Sequence, residues 1–196
     1  MRSKNFMSIV FIYIVTSFLL LPKFSIARDL TALEDQWFLL NIKLTGYEFS
    51  YDNSETTPKK FSSKVKAYLH ISAVIFQSSC LLGKLYVLDT FEDCWTPGDF
   101  EIDVFGGTDS DFIAEGYGTW TDSLEVETIN FQPDFRVHLT MNGGEITGGK
   151  INPIGGKFDG GDYDILVVGE IIVSGSFLNP DTFCLKSKNS STPPCE

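Results

Sequence analysis

The segment 141–164 constrains the fold of this chain more than any other. It holds four Gly-Gly pairs: Gly143-Gly144, Gly148-Gly149, Gly155-Gly156 and Gly160-Gly161. The unit Gly-Gly-x-apolar-x-Gly-Gly occurs twice in it, as GGEITGG and GGKFDGG. Glycine lacks a Cβ, so such pairs permit tight turns and close backbone approach and disfavour a helix. The segment is therefore expected to form two stubby strands, around Ile146 and Phe158, joined by turns through Asn152-Pro153. Asn142-Gly143 is the strongest hairpin-turn signal in the chain.

The flanking segments support β-structure. Only Asp29–Gln36 has helical character, and it is long enough for a single turn. From Trp37 onward Phe38, Leu40, Ile42 and Leu44 alternate with polar residues, after which the apolar phase shifts to Tyr47, Phe49 and Tyr51. A one-residue phase change predicts a β-bulge at Thr45-Gly46, because side chains repeat every two residues in a strand. Val65, Ala67, Leu69, Ile71, Ala73 and Ile75 form one face of a second strand, and Phe100, Ile102 and Val104 one face of another. Phe112, Ala114, Gly116, Gly118 and Trp120 share a face, with the two glycines relieving crowding on the inward side. Segments 124–129 and 134–141 follow, and the nearly all-apolar Ile165–Val173 predicts a central strand.

About nine strands with short connections and no interposed helix define an all-β fold. The expected form is an antiparallel meander closed into an up-and-down barrel, similar at the level of strand order to calycin-like barrels, with a β-sandwich as the alternative.

The first residues read as a secretory signal peptide spanning 1–27. Arg2 and Lys4 precede an apolar run, Pro22 breaks it, and Ser25-Ile26-Ala27 offers a cleavage site. One domain, 28–183, and a polar tail, 184–196, follow. The tail carries the glycosylation acceptor Asn189-Ser190-Ser191. The expected location is secreted or periplasmic, without stable membrane insertion after cleavage. The formal charge of −11 becomes −14 when Arg2, Lys4 and Lys23 leave with the signal segment. Such a chain repels phosphate backbones and anionic membranes, which argues against nucleic acid as a partner. Four cysteines in an exported chain read as two disulfides, and of the three possible pairings loop length and local sequence favour Cys80 with Cys94 and Cys184 with Cys195.

Chemistry is thinly signalled. No nucleophile elbow occurs, and His70 and His138 fall on polar strand faces as solvated surface residues. Glu101 with Asp103, and Glu125 with Glu127, lie on common strand faces in the way that paired carboxylates of a hydrolase would. Two loops rich in oxygen ligands are candidates for calcium, through Asp109 and Asp111 and through Asp159, Asp162 and Asp164, although the fold requires no cofactor. The chain contains 17 Phe, 7 Tyr and 3 Trp. In a barrel, Phe112, Trp120, Phe135, Val137, Leu139 and Ile165 line the interior, as packed core or as a pocket for a small apolar molecule. In a sandwich, exposed Trp37, Tyr47, Trp95 or Tyr117 would instead stack on a glycan. The leading expectation is a secreted, non-enzymatic β-protein that binds an apolar ligand or mediates extracellular contacts, with a carbohydrate-binding module second and a secreted hydrolase third.

Overall fold

The computed structural model describes residues 29–51, 57–75, 78–89, 94–122, 124–179 and 183. The expected signal peptide, the tail and its glycosylation acceptor lie outside the described residues, as do Cys184 and Cys195. After one 3-10 turn at Thr31–Leu33, eight strands follow in chain order: β1 Trp37–Ser50, β2 Lys59–Ile75, β3 Cys80–Asp89, β4 Cys94–Gly107, β5 Asp111–Thr121, β6 Thr128–Asn142, β7 Glu145–Gly161 and β8 Ile165–Leu178. Each pairs antiparallel with the next, and β8 returns to β1, so the sheet is a closed up-and-down barrel. No helix among the described residues is long and apolar enough to cross a membrane.

Alternation explains the core. Phe38, Leu40 and Ile42 of β1 face the same interior as Ala67, Leu69 and Ile71 of β2. Phe112 and Ala114 of β5 meet Phe135 and Val137 of β6 there, together with Ile171 and Val173 of β8. Gly116 and Gly118 make room for rings. A Cβ on Gly118 would lie 2.3 Å from the Phe131 ring, and one on Gly116 would lie 2.5 Å from the Phe100 ring.

The glycine-rich segment departs from expectation. It forms one 17-residue strand, β7, in place of two stubby ones. Only Gly143-Gly144 makes a turn: both have positive φ, and they join Asn142 to its partner Glu145. This is the left-handed geometry that a two-residue hairpin requires. Pro153 stays paired with Phe135 of β6 but lies where β7 leaves β8, between Ile151 and Lys157, so that β7 is an edge there on one side, where proline is accommodated. Likewise 124–129 and 134–141 are not separate strands, since β6 begins at Thr128 and runs through Pro133. Glu125 and Glu127 therefore sit in the β5–β6 connection, where the Asp122 carboxylate accepts the amides of Val126 and Glu127 at 2.7 and 3.1 Å.

Two register expectations also change. β1 runs without a bulge, as Thr45, Gly46 and Tyr47 pair in unbroken register with both neighbouring strands. Tyr47, Phe49 and Tyr51 are simply exposed outside the barrel. β2, expected to be regular, carries a bulge between Ile71 and Ala73, so Val74 packs on the core and Ile75 turns outward.

Candidate functional site

The outer face of the barrel carries two adjacent rungs of polar side chains. Antiparallel register places Lys84, Asp99, Thr119, Asn130 and Asp159 opposite one another across β3 to β7. The next rung places Leu82, Glu101 and Tyr117 in line, followed by Gln132 and Lys157. These residues line an open groove of about 620 Å³ that crosses the sheet from Ser72 on β2 to Asp159 on β7. Gly83 and Gly118 also line it, and on the inner side of Gly118 the Phe131 and Phe100 rings take the space of the missing side chain.

Hydrogen bonds fix the rungs. The Lys84 ammonium is paired with Asp99. The Thr119 hydroxyl donates to Asn130 Oδ1 at 2.9 Å, and Asn130 Nδ2 donates to Asp159 Oδ1 at 3.1 Å. Beside the second rung, Gln132 Nε2 donates to Glu115, which also accepts from the Tyr117 phenol. The bond to Tyr117 is the larger cause of a lowered Glu115 pKa, and the same bond raises the phenol above its usual value. Tyr117 remains 40% exposed. The groove thus offers fixed carboxylate, amide, ammonium and hydroxyl groups beside one exposed aromatic side chain.

The interior candidates lie together but as core. Phe112, Phe135, Val137 and Leu139 are buried in the central cluster, and Trp120 and Ile165 pack against it. The Trp120 indole N–H is buried without a hydrogen-bond partner among the described residues. Of the four sugar-stacking candidates, Tyr47 and Tyr117 are exposed, while Trp37 and Trp95 are not. Trp37 stacks on His70 at 4.4 Å and meets Phe183 at 5.2 Å, and Tyr68 bridges Phe183 to Trp95, with centroids 4.9 Å apart on each side. His70 is therefore part of an aromatic cluster, within 3.5 Å of Asp35, and is not a freely solvated histidine.

The calcium candidates do not converge. Both Asp111 oxygens accept from Arg136, at 2.6 and 2.8 Å, which holds that carboxyl below its usual pKa. Asp162 Oδ1 accepts the amides of Asp164 and Ile165 at 2.8 Å, as an ordinary turn cap does. Among the described residues the one set of three potential ligands lying close together is Cys80, Glu101 and Asp103.

The expected Cys80–Cys94 disulfide is not formed. Cys80 is a free, buried thiol. It pairs with Asp103, whereas Cys94 pairs with Asp89 at the other end of the same hairpin. Nine residues of strand separate the two, about 30 Å, and a disulfide tolerates at most about 7 Å between Cα atoms. The Cys80 thiol lies 3.3 Å from Glu101 Oε1. Burial first, and then the neighbouring Glu101 and Asp103, pushes its pKa up to about 12.

The sequence reading missed the groove residues Lys84, Thr119, Asn130 and Lys157, since each is an isolated outward polar position on its own strand. No family model matches the chain, and no curated protein or solved structure matches it either.

Proposed function

We propose that the chain is a secreted, non-enzymatic glycan-binding protein whose site is the outer groove across β3–β7. The observation that carries this reading is the pair of hydrogen-bonded polar rungs beside exposed Tyr117. Sugar hydroxyls need paired donors and acceptors in fixed positions, which Asn130, Asp159, Gln132 and Lys157 supply. The apolar face of a pyranose ring needs an aromatic surface, which Tyr117 supplies. The groove volume falls within the usual range for small-ligand sites.

The test is calorimetric titration with a panel of neutral oligosaccharides. Wild type should bind at least one of them, and Tyr117→Ala should weaken that binding about three- to tenfold, the loss of one aromatic contact. Binding by no member of the panel would remove the proposal. Release of reducing ends from a bound oligosaccharide would favour the hydrolase reading, with Glu101 in the groove and Asp103 beside it as the paired carboxylates.

A second reading, a small apolar molecule at the barrel interior, draws support from the unpartnered Trp120 indole N–H. It calls for an apolar ligand with one hydrogen-bond acceptor. Native mass spectrometry of protein purified from its own host would detect such a ligand as an added mass.

A further inference from the structure

We infer that the outer face of β1–β2 is a second binding surface, shaped for a linear anionic polysaccharide bearing uronate or sulfate groups. The chain is acidic overall, with a net charge of −11. Yet Lys43, Lys60, Lys64 and Lys66 all project outward from one face and are all exposed. Register sets Lys43 directly opposite Lys64, with Asn41 opposite Lys66 and Tyr47 opposite Lys60. Like charges placed directly across a strand pair destabilise it. None of these four ammonium groups enters an ion pair among the described residues.

Protection of a sheet edge explains part of this arrangement. β2 pairs with β3 only from Ala67 onward, and lysines discourage strand addition at an open edge. Lys43 has no such task, because β1 is paired on both sides at that position. An anionic ligand relieves the Lys43–Lys64 repulsion directly.

The layout favours a thin, linear polymer. Lys60 to Lys66 span about 20 Å along β2, with the hydroxyls of Ser62 and Thr45 between the charges and the Asn41 amide opposite Lys66 at one end. Tyr47, 48% exposed beside Lys60, offers an aromatic face to a sugar ring. Broad polyanions such as a DNA duplex or an anionic bilayer also meet the acidic remainder of the surface and are repelled by it. This surface is separate from the β3–β7 groove, and the inference stands independently of it.

The test measures binding of the full-length secreted protein to immobilised heparin and immobilised polygalacturonate at stepped salt concentrations. Wild type should bind at least one of them, with affinity that falls as salt rises. In the double variant Lys43→Gln, Lys64→Gln the slope of log affinity against log salt should fall by about two, one per charge removed. Tyr47→Ala should weaken binding at every salt concentration, and Lys150→Gln, on β7, should change nothing. A thermal midpoint at or above that of wild type confirms that the double variant is folded. The inference is overturned if wild type binds neither polymer, if the double variant binds as wild type does, or if double-stranded DNA binds equally well.

Discussion

Gly46 of β1 and Gly169 of β8 face each other at the closure of the barrel, with their backbones in direct contact. A Cβ on Gly46 would stand 2.0 Å from the Val168 carbonyl oxygen, and one on Gly169 would stand 2.2 Å from the Thr45 carbonyl oxygen. Neither neighbour is a side chain that can rotate away. The two glycines let the first and last strands cross closely while keeping their ladder unbroken.

Gly46→Ala and Gly169→Ala should therefore each destabilise the fold by about 1–3 kcal/mol or more, the usual cost of overpacking against a rigid neighbour. Gly155→Ala is the matched control, since nothing lies within 4 Å of a Cβ there. It should be neutral or slightly stabilising. Urea midpoints of the three variants decide the matter. Equal midpoints would show that β1 and β8 can separate at no cost.

The barrel was legible in the sequence because its interior follows simple alternation, as in Phe38, Leu40 and Ile42 or Phe112 and Ala114. The phase change at Tyr47 was also visible but has another cause. Those aromatics are exposed outside an unbulged strand, and alternation alone cannot tell an exposed apolar residue from a buried one. The glycine pairs read as turns because glycine is the ordinary turn residue. In β7 three of the four pairs sit within the strand, and at Gly156, Gly160 and Gly161 a Cβ would run into the backbone of a neighbouring strand. Of the groove, Glu101, Tyr117 and Asp159 stood out, each for a separate reason, but not the site they form together. Asp99, Thr119, Asn130 and Asp159 come from four strands, and they align only once the register of three successive hairpins is fixed.

Cys80 gives a chemical prediction. A buried thiol hydrogen-bonded to Glu101, with its pKa near 12, is almost entirely protonated at neutral pH. The thiolate is the reactive form. Cys80 should therefore resist alkylation in the folded protein and react once the chain is unfolded in denaturant without reductant. With Cys80 unpaired, at most one disulfide can form among the other three cysteines. Intact-mass spectrometry after alkylation in denaturant should therefore show at least two labels. A fully unlabelled chain would contradict the free thiol.

Phe183, beyond β8, packs on the barrel wall through its contacts with Trp37 and Tyr68. Each aromatic pair contributes about 0.5–1.5 kcal/mol beyond simple burial. Phe183→Ala should cost about 1–3 kcal/mol from these two contacts. It should also shift tryptophan emission to the red as Trp37 gains access to water. An unchanged spectrum with an unchanged midpoint would mean that the cluster holds without its Phe183 member.

The Glu115–Tyr117 bond in the groove should leave a signature at both ends of the pH scale. Glu115 has a lowered pKa in the folded state, so its contribution is fully present above its unfolded value of about 4.5. That contribution is lost as pH falls through the lower folded value. Tyr117 has a raised pKa, so its contribution is fully present below its unfolded value of about 10 and is lost as pH rises through the higher folded value. The bond thus operates between an acid limb and an alkaline limb, with an ionised carboxylate accepting from a neutral phenol. Tyr117→Phe removes the donor, and the stability difference between wild type and variant should be largest on the plateau and should shrink at both limbs. Denaturation midpoints from pH 3 to pH 11 provide the measurement. A difference that does not vary with pH would show that Tyr117 stabilises the groove by packing alone.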